Sequence, residues 1–122
     1  MRIVKEIEID GHRLKALFDT GSVRSYLRSE FRPPNVLRTA PVVVGLGGRS
    51  HRLDERCDFT ARIEGLDFEM TAYLVPELAE TEHGRSDVIV GALTMEEWWI
   101  KLDPHTGELD LAGLRRREFT EY

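Results

Sequence analysis

A single cysteine, Cys57, stands among 122 residues, which rules out an internal disulfide and points to a reducing, cytoplasmic setting. Long apolar stretches are missing too: no run approaches the roughly 18 residues of a membrane span. The N-terminal MRIVKEIEIDG carries a charge every two or three residues, where a secretory leader needs an uninterrupted apolar segment. Basic charge is also scarce. Seventeen Lys and Arg are set against 22 Asp and Glu, for a net charge of -5. Apart from Arg115-Arg116-Arg117 the basic residues are dispersed, so no phosphate-tracking surface and no nucleic-acid partner are expected. His51 and Cys57, six residues apart, match no zinc signature, so a surface hairpin with a half-buried thiol is expected there rather than a metal site. His12, His83 and His105 fall in turns or loops.

What the chain does have is 41% hydrophobic residues, enough at this length for the core of one domain, residues 1–122. Ile3, Ile7 and Ile9 lead into Asp10-Gly11, and Leu14, Ala16 and Phe18 follow. A near two-residue apolar period on both sides of a turn dipeptide predicts a β-hairpin. Phe59, Ala61 and Ile63 before Glu64-Gly65, with Leu66, Phe68, Met70 and Ala72 after, predict a second hairpin of the same design. The matching Ile-acid-Gly positions hint at an internal repeat. Between them, PVVVGLGGRSHRL reads as a hairpin with a mobile glycine tip, and Pro33-Pro34 as a breaker.

The later chain holds one short helix. Thr94-Met95-Glu96-Glu97 fits a capping box in which hydroxyl and carboxylate satisfy each other's backbone N–H groups, and Trp98-Trp99-Ile100 follow before Asp103-Pro104 stops the helix. SDVIVG before it predicts a buried strand ending on Gly91, and GELDLAGL after it another strand. Residues 76–86 read as a polar loop. Strands with glycines at their ends and one helix predict an all-β barrel or sandwich with a helical addition.

The chemical question sits at LKALFDTGSVRSYL, where a buried-looking strand delivers a carboxylate, Asp19, into a sharp turn. One carboxyl alone is a modest catalyst, whereas two that share a proton supply an acid and a base together. Asp19 has no second copy in the chain, and the other acids lie in turns, loops or on the helix surface. A C2 dimer supplies the copy, because an isologous interface sets residue 19 of one subunit against residue 19 of the other.

These residues resemble the retropepsin-like aspartic proteases, homodimeric relatives of pepsin, and the cellular and prokaryotic members more than the viral ones. Leu17-Phe18-Asp19-Thr20-Gly21-Ser22 is similar to the active-site motif. Val43-Val44-Gly45-Leu46-Gly47-Gly48 looks like the glycine-rich flap. Val88-Ile89-Val90-Gly91-Ala92-Leu93 and the helix after it look like the second apolar-Gly loop, about seventy residues downstream. The resemblance implies a closed, barrel-like acid-protease fold with a short helix in its C-terminal half, and needs no cofactor. It implies that Asp19 pairs with its mate to activate a water that hydrolyses a peptide bond. Thr20 would clasp the two loops across the dimer axis, Gly21 would give backbone clearance, and Ser22 would stand beside the carboxylates. Gly45, Leu46, Gly47 and Gly48 would close over an extended peptide or protein substrate, while Val88, Ile89, Val90 and Gly91 back the catalytic loop.

Departures from the family pattern define the rival. Viral members follow the motif with acidic residues and place an arginine after the second apolar-Gly, whereas Val23-Arg24 and Gly91-Ala92 stand here. Residues 113–122 run past the last predicted strand, outside the core of the resemblance, and Arg115-Arg116-Arg117 read as a solvated tail. The alternative is therefore a dimeric peptide-binding module on the same fold that cleaves weakly or not at all.

Overall fold

The computed structural model describes all 122 residues. The first predicted hairpin is β1 (Arg2–Ile9) and β2 (His12–Asp19). Its two-residue turn has Asp10 at φ 54° and Gly11 at φ 79°, the left-handed pair whose twist matches that of the strands it joins. That turn fixes the register, Ile9 opposite His12 and so on down to Arg2 opposite Asp19. After β3 (Ser25–Arg28), β4 (Val36–Leu46) and β5 (Arg49–Ile63) form the glycine-tipped hairpin, and β6 (Leu66–Val75) completes the second predicted hairpin. β7 (Val88–Val90), α1 (Ala92–Trp98), β8 (Lys101–Asp103), β9 (Glu108–Asp110) and α2 (Ala112–Arg116) follow.

The main sheet runs β1-β2-β7-β3-β6-β5-β4, and β1 also pairs with β5. Six strands thus close into a barrel, leaving β4 outside as the arm of a projecting hairpin. The two similar hairpins close the barrel on each other, Glu8 opposite Arg62 and Ile9 opposite Ala61. Alternation sends Ile7, Ile9, Leu14, Phe18, Cys57, Ala61, Ile63, Phe68 and Met70 into one core with Val88 and Val90. Burying an aliphatic or aromatic side chain of this size contributes about 1.5–3 kcal/mol each. On the opposite face of β3 and β7, a smaller cluster of Tyr26, Leu53, Val75 and Leu78 seats Val42, Val44 and Leu46 of the projecting hairpin.

Four expectations change. Thr94 does not cap α1: Gly91 occupies that position, and the Thr94 hydroxyl is buried against Ser25 Oγ at 2.9 Å. A tertiary hydrogen bond outcompetes the local one. The strand expected over GELDLAGL covers only Glu108–Asp110, because Asp110 Oδ1 accepts the N–H of Ala112 and starts a second helix. The chain beyond residue 112 is not wholly a solvated tail, since Leu114 lies in the core and Phe119 meets Trp98 and Trp99 edge-on at 5.7 and 5.8 Å. Arg115, Arg116 and Arg117 themselves stay exposed, Arg117 lying 5.1 Å over the Trp98 ring.

Finally, the thiol expected to be half-buried is wholly buried. Cys57 is 1% exposed and donates to the Ala72 carbonyl at 3.5 Å. Burial, with a smaller contribution from Asp58, pushes its pKa up to about 11 from an ordinary 9.0. The unfolded thiol ionises first, so the stability this group provides is complete below about pH 9 and is lost as pH rises towards 11. The loss amounts to roughly 2–3 kcal/mol. Urea titrations across that window should show a steeper decline for the wild type than for Cys57→Ala; equal slopes would show that another group is responsible.

Candidate active site

β2 is a central strand of the barrel, and its last residue carries Asp19 out at one end of the sheet. The turn there is local chemistry. Asp19 Oδ1 accepts the Gly21 N–H at 2.8 Å, and the Asp19 carbonyl accepts the Ser22 N–H at 3.1 Å. An aspartate that caps its own turn in this way stops a strand abruptly. A Cβ on Gly21 would lie 3.2 Å from Asp19 Oδ1, so this glycine clears space for the carboxylate itself.

The turn is held from behind by the second apolar-Gly loop. β7 runs parallel to β2 with Ile89 beside Leu17 and Val90 beside Phe18. The N–H groups of Ala92 and Leu93 then donate to the carbonyls of Ser22 and Val23 at 2.7 and 3.1 Å. Ser25 Oγ accepts the Gly91 N–H at 2.9 Å and links on to Thr94. Contact is close enough that a Cβ on Gly91 would fall 2.2 Å from the Arg24 carbonyl oxygen. Asp19 is therefore fixed by backbone on two sides, and its carboxylate orientation does not depend on a flexible support.

The other carboxylate oxygen, Oδ2, accepts Arg2 Nε at 3.2 Å, and Arg2 also lies 3.8 Å from Glu82. The Asp19 side chain is 14% exposed and that of Arg2 45%. Asp19, Leu17, Gly21, Ser22 and Ile89 border a cavity of about 530 Å³, whose opposite wall is Gly45, Leu46 and Gly47. The glycine-tipped hairpin thus bends over the Asp19 turn. Gly47 and Gly48 make its tip with φ 57° and 77°, and a Cβ on Gly47 would collide with that of Ala79 at 2.4 Å. Gly48 forms the turn but does not border this cavity.

Within the single chain, two side chains of the turn have partners other than Asp19. The Ser22 hydroxyl donates to the Arg24 carbonyl at 2.8 Å rather than to Asp19. Thr20 Oγ1 accepts from the Met1 ammonium at 3.0 Å. Val88 and Val90 face the core, whereas Ile89 alone of that strand borders the cavity.

Sequence reasoning missed three contributors. Arg2 was legible from the hairpin register, since counting back from Asp10-Gly11 sets it opposite Asp19. Ser25 carried no local signal, because its partners are Gly91 and Thr94. The polar loop over 76–86 supplies Leu78 to Glu82 as a third wall of the cavity. Arg28, buried, holds that loop by donating to the carbonyls of Leu78 and Ser86 at 3.1 and 2.9 Å.

A closed barrel, an Asp-Thr-Gly turn pinned by an apolar-Gly-helix element, and a glycine-tipped hairpin above it define an acid-protease architecture. The chain has a retropepsin-like fold. Among solved structures, it is similar to the retroviral protease-like domain of Ddi1 from Leishmania major, with a TM-score of 0.66 over 92% of this chain and 89% of that one. Identity is 15%, a level at which the likeness speaks for the fold. No family model matches the sequence, and no curated relative does. No helix is long and apolar enough to cross a membrane.

Proposed function

We propose that the protein is a homodimeric aspartic peptidase whose site is completed by a second copy of Asp19. The observation that carries this reading is the division of labour on the Asp19 carboxylate. Oδ1 is occupied by a backbone N–H, while Oδ2 meets only the half-exposed Arg2 side chain, and Asp19 borders a cavity shared with the glycine-tipped hairpin. In the dimer, one Asp19 takes a proton from a water as that water attacks the peptide carbonyl. Its protonated partner donates to the carbonyl oxygen, and collapse of the tetrahedral intermediate expels the amine with a proton. No covalent intermediate forms. The hairpin binds the peptide main chain in strand fashion and excludes water.

Arg2 favours the second reading, a peptide-binding module without efficient cleavage, because its guanidinium holds the oxygen that the water needs. Glu82 lies close enough to receive Arg2 when it leaves, which keeps the first reading ahead. The test uses carboxymethylated casein as an unfolded substrate, with sedimentation at the same protein concentrations. Cleavage is expected only where the protein sediments as a dimer. A dimer that leaves casein intact selects the binding module, and a monomer that cleaves removes the shared site.

A further inference from the structure

The Asp19 turn has a cavity on each side. Asp19 borders the one beside the glycine-tipped hairpin, and Thr20, the next residue, borders a second of about 590 Å³. Ala92, Met95 and Trp99 follow helical spacing along α1 and its C-terminal cap and make one wall of this second cavity. Ile100 and Leu102, where the chain runs on into β8, make another. The Ala92, Trp99 and Leu102 side chains are only partly buried, so the chain's own packing leaves this mainly apolar hollow open. An apolar hollow left open on a surface marks a place of contact with another molecule.

The charges on its wall are Glu96 and Lys101. Both are exposed. Neither forms an ion pair within the chain, not even with the other. One acid and one base left over on a single surface make that surface complementary to itself. A two-fold axis turns one copy against the other, so that Glu96 of each protomer can meet Lys101 of the partner subunit.

We infer that this cavity is the surface on which the second copy of the chain docks, with Glu96 and Lys101 pairing reciprocally across the axis. The inference rests on the proposed function and deepens it, since it names the surface that delivers the second Asp19. Thr20 fixes the place. It follows Asp19 directly and lines the hollow, so a copy that presents its own Asp19 to this one has to lie over it. The charges then choose among occupants. An acidic partner would satisfy Lys101 and oppose Glu96, a basic one would do the reverse, and a neutral ligand would leave both unpaired. A second copy satisfies both. The apolar walls supply the driving force for association, and the two charge pairs set its orientation.

The test reads assembly separately from cleavage. Glu96→Lys and Lys101→Glu are each sedimented alone and then as an equal mixture. Alone, each variant sets like charges against each other twice across the axis, and its dimer dissociation constant should rise at least about tenfold. In the mixed dimer every contact between positions 96 and 101 again joins opposite charges, so affinity should return to within about threefold of the wild type. Circular dichroism checks that each variant is folded, as expected for substitutions of exposed side chains. Dimers indifferent to both reversals, or monomers that mixing does not rescue, would overturn the docking surface. Casein assays on the same samples keep the two readings apart. A rescued mixed dimer that leaves casein intact keeps the surface and removes the peptidase. Dimerisation and cleavage that both survive either reversal keep the peptidase and remove the surface. A wild type that stays monomeric and cleaves nothing removes both.

Discussion

Asp19→Asn is expected to abolish casein cleavage, by at least about a thousandfold, while leaving the folded structure intact. The magnitude follows from losing both halves of the proton transfer at once, since neither copy of an asparagine pair can take a proton from water or donate one as a carboxylic acid does. The fold should survive because the substitution is nearly isosteric and its oxygen can still accept the Gly21 N–H that Oδ1 accepts at 2.8 Å. What disappears is the ion pair to Arg2, whose side chain is 45% exposed; pairs of that kind contribute about 0–1 kcal/mol. Thermal unfolding of the two proteins should therefore nearly coincide. Retained cleavage with a coincident melting curve would place the chemistry at another residue.

Gly91→Ala is expected to cause the largest loss of stability, roughly 3–5 kcal/mol. Its added methyl would fall 2.2 Å from the Arg24 carbonyl oxygen, 2.7 Å from the carbon and 2.9 Å from the Ser22 oxygen, all of them backbone. Backbone cannot rotate out of the way, so the loops have to part. Overpacking of this kind costs about 1–3 kcal/mol. Parting the loops also weakens the bonds from Ala92 and Leu93 to Ser22 and Val23, at about 1 kcal/mol each. For a chain of this length the loss corresponds to a melting temperature lower by very roughly 10–20 °C. Gly45→Ala is the control: no atom lies within 4 Å of its added carbon, and its melting temperature should hardly move. Similar behaviour of the two variants would mean that the loops at residues 19–24 and 91–93 are not clamped as described.

Much of the fold could be read along the chain because its hairpins are local. Asp10-Gly11 and Glu64-Gly65 state both the turn and the register, and the alternation beside them states which face is buried. Asp19 and Gly91 were legible for a similar reason: a strand that ends on Asp-Thr-Gly, and another that ends on Gly before a helix, each announce themselves within six residues. Contacts between distant segments were not. Thr94 satisfies a local capping pattern and yet serves Ser25, because a buried hydroxyl pair across 69 residues competes for the same oxygen. The start of α2 was hidden by Gly113, a weak helix former, whose tight fit against Trp99 is a tertiary matter.

Everything proposed for Asp19 requires two copies of it, and subunit mixing tests that requirement most directly. Wild-type protein is mixed with Asp19→Asn in varying proportion at constant total concentration, allowed to exchange subunits, and assayed on casein. If each site needs two aspartates, activity falls as the square of the wild-type fraction, so an equal mixture retains about one quarter. A linear decline, with half the activity left in an equal mixture, would mean that each chain acts alone and would contradict the shared site.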